Sequence, residues 1–77
     1  MEINDFIKNF QDQFEDDTLT LSPDTYFKEL DEWTSLMGIS IIAMIDDEYN
    51  ISITGVDIRN SDTIEDLFEL VKSKANV

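Results

Sequence analysis

One long apolar segment, from Leu36 to Tyr49, constrains the fold of this chain more than any other part of it. Several of its residues are isoleucines, whose β-branched side chains would suit a strand. The segment is nevertheless longer than a typical strand, and its apolar residues do not strictly alternate with polar ones, so a helix is predicted, with Thr34 as its N-cap residue. Because the first turns are apolar on almost every side, this helix either lies in the core or presents an apolar face to another molecule.

Amphipathic helices are predicted on both sides of this segment. The first extends from about residue 2 to residue 15, where apolar residues recur at intervals of three and four: Ile3, Phe6, Ile7, Phe10 and Phe14. The last follows a capping box formed by Asp62 and Glu65 and ends near Ser73. Its apolar face consists of Ile64, Leu67, Phe68 and Val71. Together with the central segment, these are the main helices of a predicted bundle.

The first connection, residues 18–31, is the longest. It is rich in turn-forming residues, and Pro23 disfavours helix at the residue before it. One short helical turn is expected between Asp24 and Leu30. A loop of this length in a compact domain usually carries function.

The second connection is shorter. The chain can reverse at Asn50 or Gly55, and a short helix is predicted from Val56 to Asn60. The sequence therefore predicts one all-α domain over residues 1–77, with three main helices and a short helix between the second and the last of them.

The charge of the chain limits its partners. Its formal net charge is −13. Such a surface repels nucleic acid, whose binding depends on Lys and Arg, and it disfavours anionic membranes for the same reason. Proteins with basic patches are the expected partners. Simple solubility is the alternative explanation for the charge.

The residue types that are missing argue against an enzyme. The chain has no His and no Cys, so it can form neither a Ser–His–acid triad nor a Cys–His pair, and zinc loses its usual ligands. A calcium loop starting at Asp46 would need Gly and Glu where the chain has Ile51 and Asp57. The absence of cysteine fits a cytoplasmic protein, and no apolar run has transmembrane length.

Ser35 places a hydroxyl at the start of the central helix. A serine at such a position most often satisfies a backbone amide, and periodicity alone gives it no further role.

The sequence from Phe27 to Val71 resembles the acyl carrier proteins of the phosphopantetheine-dependent family, without an apparent gap. The family's Asp-Ser-Leu motif at the start of the second helix corresponds here to Thr34-Ser35-Leu36. The other matching positions are Phe27, the apolar core positions of the second helix at Ile39, Ile42 and Ile45, the acidic helix end Asp46-Asp47-Glu48-Tyr49, the extended segment Ile51-Ser52-Ile53, and Asp62-Thr63-Ile64 followed by Leu67.

The resemblance implies an acyl-carrier-like four-helix bundle with a covalent prosthetic group. A phosphopantetheinyl transferase would join 4'-phosphopantetheine from coenzyme A to Ser35. The arm would hold acyl intermediates as thioesters and present them to acyl-transferring or condensing enzymes of fatty acid, polyketide or related biosynthesis. The carrier itself would be a monomer without catalytic activity. Two alternatives are an aminoacyl or peptidyl carrier of a dedicated pathway and an acidic interaction module without covalent chemistry.

Departures from the family pattern point to a specialised carrier rather than a housekeeping one. Thr34 replaces the usual Asp, and Met37 and Ser40 occupy positions that are often acidic in carriers of fatty acid synthesis. Partners would therefore meet fewer charges and more soft apolar surface there. The residues expected to contact partner enzymes are Thr34, Leu36, Met37, Ser40, Met44, Asp47 and Glu48.

Overall fold

The computed structural model describes residues 1–16 and 18–75, which form four α-helices and one 3₁₀ turn, and no strand. In chain order these are α1 (Ile3–Gln11), the 3₁₀ turn (Phe27–Glu29), α2 (Ser35–Tyr49), α3 (Gly55–Arg59) and α4 (Ile64–Ala75). The predicted all-α bundle, with its long first loop and short third helix, is confirmed. The helical turn expected between Asp24 and Leu30 is the 3₁₀ turn.

The core is built from one face of each main helix. Its fully enclosed large side chains are Phe6, Phe10, Phe27, Ile41, Ile45, Ile64, Leu67 and Val71. Aromatic rings connect the core from α1 towards α2: the centroid distance is 5.4 Å between Phe10 and Phe27 and 5.0 Å between Phe27 and Trp33, with edge-on geometry in both pairs. Such arrangements are favoured by the ring quadrupoles.

Helix α1 is shorter than predicted, because it ends at Gln11 rather than near residue 15. Beyond Gln11 the backbone tightens: the N–H of Gln13 donates to the carbonyl of Phe10, and the N–H of Phe14 donates to the carbonyl of Gln11. These i to i−3 bonds are common where a helix ends. Phe14 still reaches the core, so the apolar periodicity continued past the end of the helix.

The capping box of α4 is one residue later than the predicted pair, Asp62 and Glu65. The backbone N–H of Asp66 donates to Thr63 Oγ1 (3.1 Å), and that of Thr63 donates to Asp66 Oδ2 (3.1 Å). The prediction was wrong because α4 begins at Ile64, which makes Thr63 the N-cap residue. The backbone N–H of Thr63, followed by that of Asp62, lowers the pKa of Asp66 below its ordinary value.

Helix α3 begins one residue before the predicted Val56. The Thr54 hydroxyl accepts from the N–H of Asp57 (3.2 Å), while the Asp57 carboxylate accepts from the N–H of Thr54 (3.0 Å). Of the two residues expected to reverse the chain, Asn50 does so: it ends α2 in the left-handed conformation with φ of 56°. Asparagine tolerates this conformation better than most residues.

Two sets of hydrogen bonds fix the long first loop. Its carbonyl groups at Pro23 and Thr25 accept hydrogen bonds from the backbone of Glu65 and Ile64, at the start of α4. Near α2, the Glu32 carboxylate accepts from the backbone N–H groups of Glu15 and Asp16, at 3.1 Å each. The segment that leads into α2 is therefore tied to the beginning of the loop.

Candidate functional site

Ser35 is the first residue of α2, and its side chain is exposed. The residue before it caps the helix as predicted, because the backbone N–H of Met37 donates to Thr34 Oγ1 (3.3 Å). The Ser35 hydroxyl forms no hydrogen bond with any residue in the described part of the chain. It is thus an accessible hydroxyl that the helix terminus does not use.

Trp33 fixes the approach of the chain to Ser35. Its backbone N–H donates to the carbonyl of Leu30 (2.9 Å), and its half-buried indole packs on Phe27. The contact with Phe27 makes Trp33 an anchor for the loop. The indole also lines the cleft beside Ser35.

An open cleft of about 410 Å³ lies beside Ser35, between α2 and α3. Its lining is mostly apolar and consists of Lys28, Trp33, Thr34, Ser35, Gly38, Ile39, Ile42, Gly55, Ile58 and Arg59. A cleft of this size is within the range of small-molecule sites. The contributions from α3 and Lys28 could not be predicted from the sequence, because they depend on how distant parts of the chain pack together.

Three exposed apolar side chains lie on α2 and α3. Ile39, which is 61% exposed, lines the cleft, while Leu36 (74% exposed) and Val56 (53% exposed) follow the cleft residues Ser35 and Gly55 in the chain. The resemblance aligned Ile39, Ile42 and Ile45 with core positions; Ile45 is buried and Ile42 half-buried, but the core assignment of Ile39 is wrong. Ile39 lies four residues after Ser35 and therefore on the same side of the helix, which faces the cleft.

The residues predicted to contact partners divide into three groups. Thr34, Leu36, Asp47 and Glu48 are exposed, and Met37 and Ser40 are half-buried. Met44 is only 5% exposed and belongs to the core, so its predicted contribution to a docking surface is wrong. It follows Ile41 by three residues and shares the buried face of α2. Ile39 and Val56 supply the apolar surface that had been attributed to Met44.

Charge is distributed unevenly along α2. Its first turn contains no acidic residue, whereas Asp46, Asp47 and Glu48 are exposed near its end. The neutral half adjoins Ser35 and the cleft. A partner that contacts both halves needs an apolar patch opposite Ser35 and basic groups opposite the helix end.

No group of His, Cys, Asp or Glu in residues 1–16 and 18–75 is placed to hold a metal ion. None of the helices in these ranges is long and apolar enough to cross a membrane.

Comparison with known proteins identifies the family. A family model described as a phosphopantetheine attachment site matches residues 5–71. The chain belongs to this family and is a phosphopantetheine-dependent carrier protein rather than an enzyme, as its resemblance to the family implied. The prosthetic group is covalent 4'-phosphopantetheine, and an exposed serine hydroxyl beside an apolar cleft fits it.

Similarity at the level of structure agrees with this assignment. The solution NMR structure of a holo acyl carrier protein from Geobacter metallireducens matches with a TM-score of 0.79 and 24% sequence identity. The match covers 96% of this chain and 85% of that one. At this identity the comparison supports the fold alone. No curated protein matches the sequence significantly.

Proposed function

We propose that Ser35 carries the 4'-phosphopantetheine group. The Ser35 oxygen attacks the phosphorus of coenzyme A that bears the pantetheine, a new P–O bond forms, and the pyrophosphate bond breaks to release 3',5'-ADP. A base on the transferase takes the hydroxyl proton, since this chain has no His or Cys to do so. The observation that supports the proposal is the unused, exposed Ser35 hydroxyl at the edge of the cleft.

Other hydroxyl groups are less suitable. Among the described residues, Thr34 has the only other hydroxyl that lines the cleft, and its oxygen caps α2. Ser61 is buried and donates to the carbonyl of Asp57 (3.0 Å), while Ser22 and Thr25 contact each other. Ser35 alone combines exposure, a place in the cleft and the absence of a hydrogen bond to a described residue.

The function that follows is transport of acyl intermediates as thioesters. The thiol at the end of the arm supplies a nucleophile that this cysteine-free chain lacks. Partners are modifying and biosynthetic enzymes: a phosphopantetheinyl transferase, then acyl-transferring or condensing enzymes of fatty acid, polyketide or related biosynthesis. The apolar first half of α2 supports a dedicated pathway, in which an aminoacyl or peptidyl cargo is the second candidate.

The docking surface for these enzymes is proposed to centre on Leu36 and Ile39. Val56 extends it across the cleft, and Asp47 and Glu48 provide charge at its far end. Thr34, Met37 and Ser40 border the same surface. Exposed apolar side chains with a charged rim are typical of protein contacts. We further propose that residues 1–77 act as one monomeric carrier domain in the cytoplasm.

Modification by a transferase tests the proposal. The purified apo protein is incubated with coenzyme A, Mg²⁺ and each of several transferases of broad specificity, and intact-protein mass spectrometry follows the product. The expected result is the gain of one phosphopantetheine group by the wild type and no gain by Ser35→Ala. An unchanged wild-type mass with every transferase would contradict the carrier function and favour a non-covalent acidic module.

A further inference from the structure

Cations are scarce in this chain, yet two of them line the cleft. The sequence has five Lys and Arg residues against eighteen Asp and Glu residues. Lys28 and Arg59 line the cleft beside Ser35, and none of the described Asp or Glu residues does. The cleft therefore differs in charge from the strongly acidic remainder of the surface. A low-dielectric wall beside such cations strengthens their attraction for an anion.

The Lys28 ammonium already interacts with other groups of the protein. Its Nζ donates to the backbone carbonyl of Arg59 (2.8 Å) and lies 3.9 Å from the Asp62 carboxylate. The first contact fixes the end of α3, where a helix has unsatisfied carbonyl groups. The second partly neutralises the ammonium charge. Lys28 therefore positions α3 against the loop, and its charge is not free for a ligand.

Arg59 is available. It is the last residue of α3, it is exposed, and its guanidinium forms no hydrogen bond or ion pair with a described residue. Its backbone is held by Lys28, so the side chain starts from a fixed point at the cleft. A guanidinium presents two parallel N–H donors to a carboxylate, a geometry that an ammonium group cannot offer.

The cleft that Ser35 and Arg59 both line has apolar walls. Ile39 and Ile42 come from α2, and Ile58 comes from α3. We propose that the acyl group carried by this protein ends in a carboxylate, with its methylene chain against these isoleucines and its carboxylate on Arg59. This inference rests on the proposed attachment of the arm to Ser35.

The phosphodiester on Ser35 is a second anion for Arg59, but it already lies in a favourable electrostatic environment without that residue. The phosphodiester would lie at the start of α2, where the helix dipole is positive and the first turn has no acidic residue. Arg59 belongs to the other wall of the cleft, at the end of α3. A purely apolar cargo would gain nothing from a guanidinium there.

Thioester protection tests the inference. Apo protein is loaded by a transferase from adipyl-coenzyme A or from hexanoyl-coenzyme A, which differ by a terminal carboxylate in place of a methyl group. Mass spectrometry verifies loading, and the half-life of each thioester in hydroxylamine is divided by that of the matching free acyl-coenzyme A. Adipyl on the wild type is expected to be protected roughly twofold to fivefold more than hexanoyl, as for a partly exposed ion pair. Arg59→Gln should remove this difference. Lys8→Gln, which changes the net charge equally on the exposed face of α1, should keep it.

The results distinguish a failure of the proposed function from a failure of the inference about Arg59. Failure of the wild type to gain mass would overturn the proposed function and this inference with it. Loading with equal protection of the two acyl groups would overturn the inference alone. So would an Arg59→Gln variant that loses protection of both acyl groups to the same extent, because the guanidinium would then act on the phosphodiester that they share.

Discussion

The indole of Trp33 lies beside the backbone of α2 at Gly38, where its Cζ2 atom is 3.7 Å from the position that an added Cβ would take. This is an ordinary van der Waals distance, so an alanine would fit. Gly38 is therefore not required by packing, although a glycine inside a helix is unfavourable. A small gap therefore remains between the Trp33 indole and α2, the helix that carries Ser35.

Gly38→Ala is expected to stabilise the protein by about 0.5–1 kcal/mol, because alanine has the higher helix propensity and meets no close atom. Urea unfolding followed by circular dichroism measures the change. Ala43→Gly, at an exposed position of the same helix, is the matched control and should destabilise by a similar amount. Destabilisation by Gly38→Ala would show that Trp33 needs the space.

Glu32→Gln is expected to destabilise the protein by about 1 kcal/mol, because the charged carboxylate accepts from two backbone N–H groups and an amide oxygen accepts more weakly. Glu48→Gln removes the same charge from an exposed position on α2 and corrects for the general relief of repulsion. Both variants are compared by urea unfolding. Equal stability of the two would mean that the tie between the ends of the loop contributes nothing.

Asp66→Asn should weaken the start of α4 in a pH-dependent way. The capping hydrogen bonds lower the pKa of Asp66 in the folded state below its ordinary value of 3.8. The carboxylate therefore contributes stability above pH 3.8, and this contribution is lost as the pH falls through the lower folded-state pKa. The difference in unfolding free energy between wild type and variant should be largest near pH 7 and shrink below pH 3.8. A constant difference would contradict the assignment.

Leu36→Glu should slow modification by the transferase at least about fivefold without unfolding the protein, because it places a charge at the centre of the proposed docking surface on an exposed residue. Initial rates are measured by mass spectrometry at subsaturating carrier concentration. Tyr26→Glu, an equally charged change at an exposed aromatic outside the cleft, is the control. Equal rates for the two variants would place the docking surface elsewhere.

The sequence predicted the helices because their apolar spacing is a local property. It predicted the cap at Thr34 for the same reason. Prediction errors arose where several neighbouring residues were equally suited to one structural role. Asp62 and Thr63 are both good N-cap residues, and only the observed start of α4 selects Thr63. The apolar character of α2 on almost every side left its orientation undetermined, so Ile39 was placed in the core and Met44 on the surface.

The cleft could not be predicted, because it depends on contacts between distant parts of the chain. Lys28 and Arg59 are far apart in sequence, and nothing in the pattern around either residue indicates that they meet. Ser35 itself was identified through resemblance rather than through periodicity. Its free hydroxyl and its neighbours in the cleft became visible only in three dimensions.

Peptide-level mapping of the modification shows which residue carries the phosphopantetheine group. The modified protein is digested and fragmented in the mass spectrometer, alongside Ser35→Ala and Ser52→Ala, the latter an exposed serine outside the cleft. The phosphopantetheine group is predicted on Ser35 alone, in the wild type and in Ser52→Ala, and on no residue of Ser35→Ala. A group on any other hydroxyl, or one that persists after Ser35→Ala, would contradict the account.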